Sequence, residues 1–262
     1  MFFTITIKIG YYFIMEIGVY GLGRFGVFWA SLLSKYYTVK VYSRTKKENL
    51  PPELIWVNED EILAAPVIFF CVAISCLEQV LKKVVDFLKP GTLIMDTCSV
   101  KVYPALKMKE LIPDNIEIIA THPMFGPDSA KQGLKGLPLV LCPVRVKNST
   151  LNDWNKFFQT IGLKVFIMDP YEHDHEAAFT QGITHYMGRV LADLQLKESK
   201  LATLGYQKLL EIIEQTCNDP WQLFLDIQRY NPYTKEMRMK LHKSLERIFK
   251  KLEGSLDMLK QD

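Results

Sequence analysis

The chain has 262 residues, of which 48% are apolar and 23% charged, and its formal net charge is +3. This length allows one large domain or two modest ones, and the small, unclustered positive excess argues against a nucleic-acid-binding surface. The five cysteines are scattered without a CxxC pair, which indicates reduced thiols in a cytoplasmic protein rather than a disulfide framework or a zinc site.

The first segment, residues 1–14, is apolar but is interrupted by Lys8 and has no small-residue cleavage site after it. It is also shorter than the roughly 20 residues that a membrane span needs, and we predict no transmembrane segment elsewhere. Met15 immediately precedes the first clear strand. We therefore expect an N-terminal extension upstream of a domain that begins near Met15, with an additional edge strand as the alternative.

Between Glu16 and about Met168, short apolar runs alternate with amphipathic stretches. The pattern predicts helices at 24–35, 76–88 and 149–161, and strands at 17–20, 38–42, 66–72, 91–96, 116–120, 137–142 and 163–168. Continuous apolar runs between helices favour a parallel sheet covered on both faces, as in the doubly wound α/β class.

After Asp169-Pro170 the strand-like apolar runs end. Helical periodicity predicts helices at roughly 170–196, 201–217, 219–230 and 233–253. Proline and acidic residues in the first of these turns are typical of a helix start. The sequence thus predicts a Rossmann-like dinucleotide-binding domain at 15–168 and an all-helical domain at 169–262.

The stretch GLGRFG joins the first predicted strand to the first helix. Gly21, Gly23 and Gly26 have the spacing at which the chain turns sharply and the backbone approaches a pyrophosphate at a helix N-terminus. We predict a dinucleotide site here, with Arg24 and Phe25 among its residues; a purely structural turn is the alternative.

The second strand ends in SRTKK, with no Asp or Glu of the kind that binds the ribose of NAD about 20 residues after the glycines. Ser43, Arg44 and Thr45 are instead suited to an additional 2′-phosphate, since a guanidinium forms charge-assisted hydrogen bonds and stacks on adenine. We predict NADP rather than NAD, with an exposed basic turn as the alternative.

Two later strand ends carry Ser99, near Asp96 and Lys101, and His122. Ligands of doubly wound sheets bind beyond the carboxyl ends of the strands, so we expect Ser99 and His122 to converge on the nicotinamide. An imidazole there can take the proton of a substrate hydroxyl while hydride leaves the same carbon. A hydrolase is disfavoured because the sequence has no GxSxG motif.

His173 and His175 stand two residues apart on a predicted helix and therefore lie on different faces. Paired metal ligands on a helix need a spacing of three or four residues, so we predict no metal site.

The stretches DTCSVK, THPMFGPDSAKQG, EHDHEAA, QGITHYMGRVL and LGYQKLLEIIEQTCNDPWQLF follow GLGRFG in this order. From Met15 to about Leu252 the chain resembles the prephenate/arogenate dehydrogenase family, most of all its plant-type arogenate dehydrogenases. The resemblance implies an oxidative decarboxylation that forms an aromatic ring. It also implies that His122 is the catalytic imidazole and that Ser99 assists at the same hydroxyl.

The resemblance further implies a substrate pocket that the helical domain closes. Gln181 and His185, four residues apart on one helix face, would contact the substrate, although helix packing is the alternative for both. Thr203 and Thr216 match pocket positions of the family.

Arogenate and prephenate differ only in the side chain, which is an amino acid in the first and a keto acid in the second. Many prephenate enzymes of the family carry an arginine where this chain has Glu214. Asp219 is suited to the ammonium of arogenate, and it is also a candidate helix cap. We therefore favour arogenate. A prephenate dehydrogenase, a dual-specificity cyclohexadienyl dehydrogenase and a non-catalytic NADP sensor are the alternatives.

The resemblance also implies a homodimer through the helical domain, with apolar positions at Met187, Val190, Leu191 and Leu194. We expect a small-molecule substrate, and neither a nucleic-acid nor a membrane partner.

Overall fold

The computed structural model describes residues 15–259, with side chains through residue 253. The proposed N-terminal extension at 1–14 lies outside the described residues. Within the described part, no helix has the length and apolar content that a bilayer crossing requires.

The first part of the chain alternates strands and helices. Its elements are β1 (Glu16–Tyr20), α1 (Arg24–Leu33), β2 (Thr38–Tyr42), β3 (Ile55–Trp56), α2 (Glu59–Leu63), β4 (Val67–Phe70), α3 (Ile74–Val84), β5 (Leu93–Asp96), α4 (Val102–Leu111), β6 (Glu117–Pro123), β7 (Pro138–Arg145), α5 (Asn148–Thr160) and β8 (Lys164–Ile167). The second part is helical, with α6 (Pro170–Ala177), a π-helical turn (Ala178–Gly182), α7 (Ile183–Asp193), α8 (Leu204–Cys217), α9 (Trp221–Tyr230) and α10 (Thr234–Leu259).

The strands form one sheet in the order β3-β2-β1-β4-β5-β6-β7-β8. This order, in which β1 lies between β2 and β4, together with helices on both faces, confirms the predicted doubly wound fold. The sheet departs from the predicted parallel arrangement at one place, because β7 pairs antiparallel with β6. Residues 124–137, which connect β6 to β7, contain no helix. A parallel pair needs a long crossover connection, usually a helix, and without one the two strands run antiparallel.

Each face of the sheet is covered by an apolar layer. Trp29 and Phe158 pack with Phe69 on one face, while Ile62 and Leu77 pack on the other. All of these side chains are fully buried, and each such burial stabilises the fold by about 1.5–3 kcal/mol. The two layers hold the carboxyl ends of β1, β4, β5 and β6 side by side.

The helical part is anchored on this edge by two buried carboxylates. Asp226 of α9 accepts hydrogen bonds from the backbone N–H and the hydroxyl of Ser75, at 3.1 and 3.0 Å, and so caps α3. Asp174 of α6 accepts hydrogen bonds from the N–H groups of Lys101 and Val102, at 2.6 and 2.9 Å, and so caps α4. Neither α3 nor α4 has a side-chain cap from its own N-cap residue. The helical part therefore supplies the acceptors that two helices of the nucleotide-binding part lack.

Candidate active site

A cavity of about 590 Å³ lies between the carboxyl edge of the sheet and the helical part. Its walls contain most of the predicted site residues: Gly23, Arg24, Phe25, Gly26, Ser99, His122, Gln181, His185 and Asp219. The lining does not include Gly21, Ser43, Arg44, Thr45, Thr203 or Thr216.

The turn after β1 requires its glycines. Gly21 has a φ of +109°, and a Cβ there would lie 2.4 Å from the carbonyl oxygen of Cys71. A Cβ on Gly26 would lie 1.9 Å from the carbonyl oxygen of Gly21. Gly23, at the start of α1, has open space where its Cβ would be and no side-chain cap. The exposed N–H groups of this helix start fit a pyrophosphate.

The basic segment after β2 lies beside this turn, because the N–H of Gly21 donates to the carbonyl oxygen of Tyr42 at 2.8 Å. The Ser43 hydroxyl donates to the carbonyl oxygen of Thr45 at 2.8 Å, which folds the segment back on itself. Arg44 is exposed and forms no hydrogen bond or ion pair with the residues that the structure describes. Its guanidinium is available to an anion.

His122 is the last but one residue of β6 and is 1% exposed. Its Nδ1 lies 2.8 Å from Nε2 of His173, and Nδ1 of His173 lies 2.8 Å from a carboxylate oxygen of Asp174. Burial, then the neighbouring His173, Lys101 and His185, hold the pKa of His122 well below its usual value. His122 is therefore a neutral imidazole at neutral pH, able to accept a proton.

The loop that carries Ser99 is anchored by a buried ion pair. Lys101 and Asp96 are both fully buried and form an ion pair, and the Lys101 ammonium also donates to the carbonyl oxygen of Thr121 at 2.5 Å. Asp96 in turn accepts from the N–H groups of Cys98 and Thr121, at 2.9 and 3.1 Å. These contacts tie the loop after β5 to the end of β6, so that Ser99 and His122 share one wall.

On the helical side, Gln181 lies in the π-helical turn and His185 in the first turn of α7. π-Helical turns are frequent at functional sites. Oε1 of Gln181 and Nδ1 of His185 are buried and have no hydrogen-bond partner among the described residues. Burial, and secondarily Arg189, lower the pKa of His185 to about 4. Two unpaired polar atoms in a cavity wall are what a bound ligand would satisfy.

Asp219 lies between α8 and α9, where one carboxylate oxygen is 3.8 Å from the Arg24 guanidinium. Arg24 also pairs with Asp128 of the loop after β6. Burial raises the pKa of Asp219, and Arg24 opposes this effect. The interpretation of Asp219 as a helix cap is wrong, because α9 starts after Pro220 and has no side-chain cap.

Thr203 and Thr216 lie elsewhere, in contradiction to their predicted pocket positions. Thr203 is exposed and caps the start of α8, where its hydroxyl oxygen accepts from the N–H of Tyr206 at 3.2 Å. Helix α8 has 14 residues, so this end lies roughly 20 Å from the cavity end. Thr216 is fully buried against α7, and its hydroxyl donates to the carbonyl oxygen of Ile212 at 2.8 Å.

His173 is the residue whose importance the sequence did not reveal. The spacing to His175 correctly separates the two rings, since His175 packs against Tyr233 with ring centroids 5.1 Å apart. The same spacing cannot show that His173 meets His122, which is 51 positions earlier in the chain. Among residues 15–259 no cluster of three potential metal ligands is present.

Comparisons with known proteins agree with this architecture. Residues 42–167 match the family model "Prephenate dehydrogenase, nucleotide-binding domain", and residues 190–262 match "TYRAAT1-like, C-terminal domain". Arogenate dehydrogenase 2, chloroplastic, of Arabidopsis thaliana is 31% identical over 92% of this chain and 71% of its own length. Arogenate dehydrogenase 1, chloroplastic, of the same plant is 33% identical over 92% of this chain, which spans only 40% of that relative.

The fold is shared with solved structures. Prephenate dehydrogenase from Aquifex aeolicus, in complex with hydroxyphenyl propionate and NAD+, superimposes with a TM-score of 0.70. The alignment covers 94% of this chain and 95% of that one at 16% identity. With the plant relatives, these matches establish that the chain belongs to the prephenate/arogenate dehydrogenase family.

Proposed function

We propose that the protein oxidatively decarboxylates arogenate to tyrosine and transfers the hydride to NADP+. The observation that carries the proposal is the neutral, buried His122 in a cavity that also contains the glycine turn and two unpaired polar groups of the helical part. The family membership supports the reaction class, although the chain spans only part of the length of its plant relatives.

The cofactor would lie on the turn of Gly21, Gly23 and Gly26, which fits a pyrophosphate, as described above. A nicotinamide dinucleotide supplies the hydride acceptor when it is bound. The A. aeolicus protein was solved with NAD+. Here Arg44 is exposed and unpaired among the described residues, and no carboxylate follows β2 directly, so we propose NADP.

In the reaction, hydride leaves C4 of the cyclohexadienol ring while Nε2 of His122 takes the proton of the 4-hydroxyl. Loss of the hydride and the proton leaves a ring ketone, and the electron pair of the bond to the ring carboxylate then enters the ring as CO2 departs. The ring becomes an aromatic phenolate, and the protonated His122 returns its proton to the phenolate oxygen. Ser99 shares the wall with His122 and hydrogen-bonds the same hydroxyl oxygen. A low pKa suits His122 to this role, because a base that is already protonated cannot accept a proton.

The helical part would recognise the rest of the substrate. Gln181 and His185 provide one unpaired acceptor and one unpaired ring nitrogen to the cavity. Asp219 supplies a carboxylate, and the ammonium of arogenate can pair with it whereas the keto group of prephenate cannot. Glu214, at the family's arginine position, is exposed and outside the cavity lining.

We also propose a homodimer through the helical domain. Val190 of α7 and Leu194, directly after α7, are 36% and 64% exposed, and Met187 and Leu191 are half-buried. Leu201 and Leu204, before and at the start of α8, are also exposed, at 90% and 78%. An apolar face of this kind on one chain is suited to burial against a second copy. The cytoplasmic location stays a prediction.

The substitution His122→Asn tests the proposed function, because asparagine keeps a hydrogen-bonding group but cannot accept the proton. We expect arogenate turnover to be lost while the Kd for NADP+ stays within about twofold. His242→Asn, on the exposed surface of α10, is the matched control and should retain full activity. Unchanged turnover in His122→Asn would refute the catalytic assignment. Absence of turnover in the unmodified chain would favour the sensor.

A further inference from the structure

We propose that His173 is a positioning residue that fixes the proton of His122 on Nδ1 and thereby leaves Nε2 as the free proton acceptor. The inference rests on the proposed function for its consequence, since it explains how His122 is prepared to act as a base. Its geometric basis is independent of any substrate.

The direction of the hydrogen-bond chain is set at Asp174. Both of its oxygens accept backbone N–H groups at the start of α4, at 2.6 Å from Lys101 and 2.9 Å from Val102. The positive end of a helix dipole stabilises a carboxylate in its ionised form. An ionised carboxylate can only accept, so the 2.8 Å contact with Nδ1 of His173 requires a proton on that nitrogen.

With its proton on Nδ1 and none on Nε2, His173 presents a lone pair at Nε2. That atom lies 2.8 Å from Nδ1 of His122, so Nδ1 of His122 must donate. Nε2 of His122 then carries the lone pair and has no hydrogen-bond partner among the described residues. A free imidazole side chain favours the opposite tautomer, with its proton on Nε2. His173 is therefore needed to reverse that preference.

The surroundings of His122 disfavour a positive charge on its ring before substrate binds. His122 and His173 are 1% and 2% exposed, and the buried Lys101 ammonium opposes a second positive charge on His122. When Nε2 takes a proton, His122 becomes a cation whose Nδ1–H still points at His173. Asp174 stabilises that cation through the intervening ring, so the arrangement serves both the resting and the protonated state.

The imidazole ¹⁵N signals of the unmodified protein, recorded by NMR without substrate, test the tautomer directly. The five histidines are few enough to assign by substitution. We expect a protonated Nδ1 and an unprotonated Nε2 on His122. A proton on Nε2 would overturn the inference, whatever the activity. Because no substrate is needed, loss of the proposed function would not be mistaken for loss of this one.

Two substitutions of His173 test whether the tautomer of His122 affects catalysis. In His173→Leu we expect the His122 proton to move to Nε2 and kcat to fall on the order of 10²-fold or more, with KM changed less than about threefold. His173→Gln offers a carbonyl acceptor near the position of Nε2 and should retain at least about tenfold more activity than His173→Leu. His175→Leu, on the same helix but packed away from the site, is the matched control. A leucine variant with native kcat or a native His122 tautomer would overturn the inference. If that variant does not fold, the glutamine variant and the native spectrum decide.

Discussion

Asp226 of the helical part caps α3 of the nucleotide-binding part, and we predict that this contact stabilises the junction between them. Asp226 is 1% exposed and accepts three hydrogen bonds, two from Ser75 and one from Gln222 at 2.7 Å. Substitution to leucine removes both acceptor oxygens, and with them all three hydrogen bonds, and leaves the N–H of Ser75 uncapped. Substitution to asparagine keeps one acceptor oxygen in the same place, and asparagine is as good a cap as aspartate.

The magnitude follows from these contacts. Loss of a cap costs about 1 kcal/mol, and each of the two further hydrogen bonds about 0.5–1 kcal/mol net, because Ser75 is half-buried and Gln222 exposed, so that water can replace the lost acceptor. We therefore expect Asp226→Leu to lower the free energy of unfolding by about 2–3 kcal/mol and Asp226→Asn by less than about 1 kcal/mol. For a chain of this size the leucine variant should lose roughly 4–12 °C in Tm.

Thermal unfolding followed by circular dichroism, with both variants and the unmodified protein in one buffer, measures the difference. Equal Tm values for the two variants would show that the capping hydrogen bonds do not hold the helical part. A leucine variant as stable as the unmodified protein would refute the reasoning altogether.

Three further predictions concern the site. Arg44→Ala should raise KM for NADP+ about 10- to 100-fold, because one charge-assisted contact with the phosphate is lost, while KM for NAD+ stays unchanged. Steady-state kinetics with both cofactors measures the two constants, and an equal rise in both would contradict the prediction. Asp219→Asn should lower kcat/KM for arogenate about 10- to 100-fold and leave the value for prephenate nearly constant, so an equal loss with both substrates would exclude ammonium recognition. The pKa of His185 falls from its usual 6.5 to about 4 on folding, so the unfolded chain binds the proton more readily than the folded chain. The contribution of His185 to the free energy of unfolding is therefore complete above pH 6.5 and is lost as the pH falls to 4. Between pH 7 and pH 4, His185→Gln should lose about 3 kcal/mol less free energy of unfolding than the unmodified protein. Urea unfolding at the two pH values measures this difference, and an equal loss in both proteins would refute the prediction.

The strands were predictable because they are continuous apolar runs between helices. All seven predicted strands are present, and β2 has the predicted bounds. The missed elements lack such a signal. β3 has two residues on the sheet edge, and α4 carries Pro104 in its first turn and is capped by Asp174, which lies 72 positions further along the chain. A local pattern cannot reveal a cap that tertiary structure supplies.

In the candidate site, too, the residues placed by local sequence patterns were predictable and those placed by tertiary contacts were not. The glycine turn, Ser99 and His122 follow from the rule that ligands bind beyond the carboxyl ends of strands, and all three are in the cavity wall. Thr203 and Thr216 are not, because α8 carries one of them away from the cavity and packs the other against α7. The contact of His122 with His173 depends on how the helical part docks, which no spacing in the sequence encodes.

The measurement that tests the central claim most directly is the turnover of arogenate and prephenate by the purified chain with each cofactor. The geometry of His122, Asp219 and Arg44 predicts that arogenate with NADP+ gives the highest kcat/KM, with tyrosine, CO2 and reduced cofactor formed in equal amounts. Failure to reduce either cofactor with either substrate would contradict the assignment of this cavity to oxidative decarboxylation.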